Sequence, residues 1–170
     1  MPSSLGQLVP ELEPFARELV RAAGVAGLLP RVTSTRRSHF EQVRLYLRFL
    51  RGTALFPVAV PGTSAHEYGE AFDMVVTPFE ALDDVAAYWQ DLGGVWGGRR
   101  DPVHFELPGA SESHRIGPNT HTLGEAFDFL SSFVPYLGEI EMGAALIHMG
   151  FPRSEVLEFL SGPFGYLTKP

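Results

Sequence analysis

The sequence predicts an α+β fold: a small antiparallel sheet flanked by helices and carrying a metal-type site, with a helical C-terminal extension. Three observations lead there. Up to residue 107, short β-branched runs alternate with segments of helical periodicity. Residues suited to metal ligation fall at the ends of those runs and in the loops between them. Beyond residue 118 the apolar pattern is helical throughout.

The elements follow in order. Over residues 7–24, Leu8, Leu12, Phe15, Leu19, Val20 and Ala23 form one helical stripe, closed by Gly24. Residues 28–35 read as a strand that carries arginines to its end. Ser38 caps a second helix, and Glu41 three positions on completes a capping box. Val43, Tyr46, Leu47 and Leu50 supply the buried face of that helix, which Gly52 ends. Residues 56–60 read as a strand and Pro61-Gly62 as a turn. A third helix starts at Thr77-Pro78, with proline in its first turn and Leu82, Val85, Ala86 and Trp89 facing the core. Residues 93–98 hold a short strand between flexible turns, and residues 103–107 another. Trp89 and Trp96 read as core and cleft wall.

At residue 108 the character changes. Residues 108–118 form a turn-rich linker, so the expected organisation is a domain over 1–107, the linker, and a helical extension over 119–170. Its apolar-striped segments are 123–137, 139–149 and 153–160. The extension is too short for a large core of its own. It is left to pack on the first domain, pair with a second copy or dock a partner.

The chain has 170 residues, 45% of them hydrophobic and 19% charged, an ordinary globular balance. A net charge of -7 gives no general attraction to nucleic acid or anionic lipid. With no cysteine, disulfides and thiolate zinc sites are excluded. The first residues lack the basic-then-apolar layout of a secretory signal, and no apolar run approaches a membrane span.

Chemistry concentrates in two stretches, residues 62–73 and 101–106. The first supplies His66 and Asp73, the second His104 beside Glu106. Two imidazoles and one carboxylate form a usual protein ligand set for one catalytic Zn2+, with the fourth position left to water. A further acid, Asp101, suits the proton transfers of metal-assisted hydrolysis. On a straight helix His66 and Asp73 would stand about 10 Å apart along the axis, too far to share one ion. The chain must therefore fold back, and Gly69 is the residue that allows it. Pro102 holds Asp101 out of helical geometry. His104 and Glu106 then share one face of a strand, which makes Glu106 an outer partner of His104.

These motifs resemble a known family. Ser-x-His-x-x-Gly-x-Ala-x-Asp, matched by Ser64, His66, Gly69, Ala71 and Asp73, is similar to the signature of the LAS zinc peptidases. That group comprises D-Ala-D-Ala carboxypeptidases and endolysin peptidases. Asp-x-x-His-Phe-Glu, residues 101–106, resembles the second half of the pattern. It is nearer the phage-type L-alanyl-D-glutamate endopeptidases than the vancomycin-resistance dipeptidases, which usually carry Glu-x-x-His. Upstream, residues 32–42 resemble the family's Ser-Gly-Tyr-Arg-Ser-x-x-x-Gln segment, with Arg37 on its arginine and Gln42 on its glutamine. Thr35-Arg36 stands where Gly-Tyr is common, which leaves Arg36 as the other candidate. The resemblance covers roughly residues 28–107.

The resemblance implies one Zn2+ held by His66, Asp73 and His104, with Asp101 as general base and Arg37 at the developing oxyanion or a substrate carboxylate. Ser64 and Gln42 would contact substrate. It implies peptidoglycan stem peptides as the partner and L-Ala-D-Glu hydrolysis as the reaction, of phage lysin or virion-associated type. The alternatives are a D-Ala-D-Ala carboxypeptidase and a zinc-stabilised, non-catalytic module that binds wall or virion. Action on cell wall after synthesis in the cytoplasm would require lysis-coupled release or carriage on a phage particle. There the extension over 119–170 could self-associate or dock a phage structural protein.

One further feature stands out. Residues 121–128, His-Thr-Leu-Gly-Glu-Ala-Phe-Asp, echo residues 66–73 and repeat Gly-Glu-Ala-Phe-Asp in full. The readings are a second metal site, with His148 as a third ligand, or a helix start capped near Thr120 or Thr122. No Asp-x-x-His follows the echo. His39 and His114 read as surface residues.

Overall fold

The structure of the protein, a computed structural model, describes residues 4–133 and 137–162. The strands are β1 (Arg31–Ser34), β2 (Ala71–Val75), β3 (Val95–Trp96) and β4 (His104–Glu106). The α-helices are α1 (Glu13–Val25), α2 (His39–Leu50), α3 (Ala65–Tyr68), α4 (Leu82–Asp91), α5 (Ala110–Ser113), α6 (Leu123–Phe133), α7 (Glu139–His148) and α8 (Arg153–Ser161). The fold is α+β with an antiparallel sheet in the order β1-β2-β4-β3, as the alternating patterns predict.

Two compact units divide the chain: Met1–Glu41 with Ser64–His114, and Gln42–Thr63 with Arg115–Pro170. The first unit holds the whole sheet. Successive side chains of a strand point to opposite faces, and this unit uses both. On one face Phe72, Met74 and Phe105 are fully buried in a core completed by α1 and α4. The Trp89 ring meets Phe72 and Phe105 edge-on, with centroids 5.5 and 6.1 Å away, a favoured aromatic geometry. Burying each such ring contributes about 1.5–3 kcal/mol. The other face carries Asp73 on β2 directly opposite His104 on β4, with Glu106 opposite Ala71. The small residues Ala65, Ala71 and Ala110 form their own buried cluster, so α3 and α5 can both lie close to this part of the first unit.

The second unit has a separate core. Val43 and Tyr46 from α2 and Val60 from the following segment are buried with Ala126, Leu130, Leu146 and Val156 of the C-terminal helices. Helix α2 starts in the first unit, where Ser38 and Glu41 form the expected capping box: the Glu41 carboxylate accepts from the Ser38 N–H at 2.9 Å. Residues 56–60 do not form the expected strand. The segment is apolar but belongs to the unit whose described residues form no sheet, and Pro57 removes one backbone donor. Val60 is buried there while Leu55 is 91% exposed. The expected helix over 123–137 runs into residues 134–136, and the extension over 119–170 ends in 163–170; both stretches lie outside the described residues. Among the described residues no helix is long and apolar enough to cross a membrane.

Candidate metal centre

The site grows from a very short helix. Ser64 precedes α3 in extended conformation, and the Glu67 carboxylate accepts from its N–H at 3.4 Å to close a capping box. His66 lies inside this single turn and is 4% exposed. Gly69 ends the turn at φ 77°, in the left-handed region. A Cβ there would lie 3.0 Å from the Gln7 carbonyl oxygen. The Gly69 carbonyl in turn accepts from the Val9 N–H at 3.0 Å, so the N-terminal segment backs the reversal. The chain re-enters as β2 and returns Asp73 to His66, as the spacing requires. Asp73 is the middle residue of that strand.

Three potential ligand atoms converge. His66 Nε2 is 3.1 Å from Asp73 Oδ1 and 3.3 Å from His104 Nδ1, and His104 Nδ1 is 3.4 Å from the same Oδ1. Among the described residues this is the group of its kind that could hold a metal ion. Donor chemistry fixes which ring nitrogens face inward with a lone pair. His66 Nδ1 is 2.8 Å from the Thr35 carbonyl oxygen, which can only accept, so Nδ1 carries the proton. His104 Nε2 is 2.9 Å from Glu106 Oε2, an acceptor when ionised, so Nε2–H donates there and Nδ1 is left for the ion.

The residues fit a dication. A tetrahedral Zn2+ with ligand bonds of about 2.0–2.1 Å has ligand–ligand edges of roughly 3.3–3.4 Å, close to the three separations observed. Two inward lone pairs beside a carboxylate repel unless a cation or a proton lies between them. The surrounding groups favour a proton on His104. Burial opposes charge on His104, but hydrogen bonds to Asp73 and Glu106 push it up to about 9. Burial would likewise raise Asp73, yet its contacts with the His104 and His66 rings hold its carboxyl well below the usual carboxylate range. Glu106 is 5% exposed. Burial works against its charge, and hydrogen bonds from His104 and Ser111 more than offset that, lowering its pKa.

Of the further expected residues, Arg37 and Asp101 stand beside this set. The Arg37 guanidinium stands 3.7 Å from Asp73 Oδ2, the oxygen turned away from the histidines, and 3.3 Å from Ser34 Oγ. Its backbone N–H donates to the His66 carbonyl at 3.0 Å. Asp101 follows a 3-10 turn and its carbonyl accepts from the His104 N–H at 3.1 Å. Burial, aided by the charge of Asp73, pushes the Asp101 carboxyl up against the pull of His104, His66 and Arg37. A raised carboxyl is suited to a base that must later act as an acid. Ser64 is buried at the helix cap. Gln42 belongs to the second unit, fully buried, and its amide donates to the Ala59 carbonyl at 2.7 Å. His39, read as a surface residue, is 2.8 Å from Glu67 through Nδ1.

Other contributors carry no signal in the sequence. The Thr35 carbonyl is a main-chain group and has no residue preference. Gly97 has ordinary right-handed backbone angles, so its identity is not a matter of torsion. A Cβ there would lie 2.4 Å from the Asp101 carbonyl oxygen and 3.0 Å from His104 Cβ, and only the absence of a side chain allows that approach. The Trp96 indole donates to the Pro102 carbonyl at 2.8 Å, which braces the loop between Asp101 and His104. In the echo, the Glu125 carboxylate accepts from the Thr122 N–H at 2.7 Å and from its hydroxyl at 2.9 Å. That is a capping box for α6, the helix-start reading of residues 121–128.

No family model matches the chain, and no curated protein matches it in sequence. Solved structures do match in fold. One is a variant of the vancomycin resistance D,D-pentapeptidase VanY from the VanB-type resistance cassette, in complex with Zn(II). It is 19% identical with a TM-score of 0.51, over 64% of this chain and 79% of that one. A second is VanYB in complex with D-alanine-D-alanine, 21% identical with a TM-score of 0.51, over 71% and 82%. The LD-carboxypeptidase LdcB is also similar, at 23% identity and a TM-score of 0.48 over 73% and 79%, too distant to carry weight. Over the matched part, this chain is similar in fold to the VanY structures.

Proposed function

We propose that the protein is a zinc-dependent peptidase acting on peptidoglycan stem peptides. The observation that carries this reading is the convergence of His66 Nε2, Asp73 Oδ1 and His104 Nδ1 at zinc-ligand separations, with Asp101 and Arg37 beside them. A zinc ion held there would acidify water and polarise the scissile carbonyl. Asp101 takes the proton of the attacking water and returns it to the leaving amine, a role that commonly contributes about 10²–10⁴-fold. Arg37 offers its guanidinium to the developing oxyanion or to a substrate carboxylate. Glu106 and the Thr35 carbonyl keep the two rings in the required tautomers.

Two bonds compete as the target. The Asp-x-x-His motif supports cleavage between L-Ala and D-Glu, in an enzyme of lysin or virion-associated type. The likeness to VanYB, solved with D-alanine-D-alanine, supports a carboxypeptidase that removes terminal D-Ala. Digestion of purified peptidoglycan with and without a chelator, read by mass analysis, separates them. New amino termini at D-Glu establish the endopeptidase, and released D-Ala establishes the carboxypeptidase. An absence of chelator-sensitive products would leave a non-catalytic module and defeat the enzyme reading. Asp101→Ala is expected to retain zinc while turnover falls about 10²–10⁴-fold; undiminished turnover would remove Asp101 from the mechanism.

A further inference from the structure

Beyond β4 the chain does not leave the site. Helix α5, within the stretch expected to be a linker, places Ser111 Oγ 2.5 Å from Glu106 Oε2. That oxygen is the one on which His104 Nε2 sits at 2.9 Å. We infer that Ser111 is a positioning residue of the metal centre, acting through Glu106 to hold His104 with Nδ1 aimed at the ion. The inference rests on the metal reading of the site.

A carboxylate oxygen accepts more than one hydrogen bond. With Ser111 O–H and His104 Nε2–H both donating to Oε2, rotation of the carboxylate would break both hydrogen bonds. Glu106 is 5% exposed, so a lost donor is not readily replaced by solvent. Ser111 is held in turn by local structure. Gly109 precedes α5 with φ 77°, and the Ala110 N–H donates to the Leu107 carbonyl at 3.1 Å. Ala110 is 4% exposed and packs with Ala65 and Ala71. The far end of the same segment is tied to the metal loop. His114 Nε2 is 2.7 Å from Glu70, and its ring stacks on Tyr68 at 3.6 Å with planes 7° apart. Residues 109–114 thus clasp both the α3 turn that bears His66 and the strand that bears His104.

The test measures zinc affinity by competition with a chromophoric chelator, using the full chain, so the readout does not depend on turnover. Ser111→Ala is expected to weaken zinc binding on the order of 10-fold, the low end of the effect of outer partners of a metal-bound histidine. Ser111→Thr, which keeps the hydroxyl, should restore most of it. In a Glu106→Gln background the Ser111→Ala change should have little further effect, because the hydroxyl acts only through that carboxylate. Thermal melting of the metal-free variants reports general damage to the fold, which would not produce this non-additivity. Zinc uptake by the wild-type chain with unchanged affinity in Ser111→Ala, or additive effects in the double variant, overturns the role of Ser111 and leaves the metal site standing. No uptake by the wild-type chain overturns the metal site, and the role with it.

Discussion

The pentapeptide Gly-Glu-Ala-Phe-Asp occurs at 69–73 and again at 124–128, and the two copies take different structures. In the first, Gly69 leaves a helix in the left-handed region and the next residues enter β2. In the second, all five residues lie within α6. Phe72 is fully buried against Trp89 and Phe105, whereas Phe127 is half-buried with its ring 5.5 Å from that of Phe159. Asp73 faces two histidines, whereas Asp128 is exposed. The alanine is fully buried in both. Local preference is too weak to separate the two, since a difference of a few tenths of a kcal/mol per residue is overridden by tertiary partners. The partner for the first copy is β4, which supplies both a ladder and a histidine. The partner for the second is a capping Thr122 followed by a helical stripe.

The comparison can be broken most directly at its last residue. Asp73→Ala should reduce zinc affinity by more than about 100-fold, beyond the usual range for outer partners, whereas Asp128→Ala should leave it unchanged in the same chelator competition. Equal effects would mean that the two copies are chemically alike. The first residue gives a smaller contrast, of opposite sign. Gly69→Ala places a Cβ in the left-handed region beside the Gln7 carbonyl and should destabilise by about 1–2 kcal/mol. Gly124 is helical with nothing within 4 Å of an added Cβ, so Gly124→Ala should stabilise by about 0.5–1 kcal/mol. Urea denaturation of the two variants reads both, and a shift of the same sign in each contradicts the assignment.

The smallest effect concerns the core into which the second copy packs. His148 Nδ1 is 3.2 Å from the hydroxyl of the fully buried Tyr46, and the Phe49 ring lies 4.8 Å away. Burial lowers the His148 pKa, so the unfolded chain binds its proton more readily than the folded one. The neutral ring therefore contributes its full stability above the unfolded value of about 6.5, and that contribution is lost as pH falls through the folded value. His148→Gln should flatten this part of the stability profile relative to wild type. Parallel profiles below pH 6.5 would show that His148 does not couple to folding.

Several of these features are legible in the sequence because a physical rule acts over a few residues. The seven-residue gap between His66 and Asp73 demands a reversal, and Gly69 supplies it. The alternation along β4 puts His104 and Glu106 on one face, and Ser38 with Glu41 marks the start of α2. The features that escape follow no periodicity or motif and depend on how the chain folds around them. Helix α3 is a single turn, shorter than any periodicity can reveal. Ser111 and His114 sit in a turn-rich stretch, and only the folded chain returns them to Glu106 and Glu70. Gly97 looks like one more flexible turn residue, although its role is to leave room for Asp101 and His104. The apolar run at 56–60 has strand character, but a strand needs a neighbour to pair with, and residues 42–63 share a core with helices instead.

The two metal-facing rings are anchored in unlike ways. His66 leans on a peptide oxygen, which every amino acid possesses, so no point substitution at position 35 deletes that acceptor. His104 leans on a carboxylate, which one codon change can neutralise or shorten. Of the two ring anchors, drift and engineering can therefore remove only the one behind His104. Efforts to alter the centre's metal preference should begin at Glu106 and leave the loop around Thr35 intact.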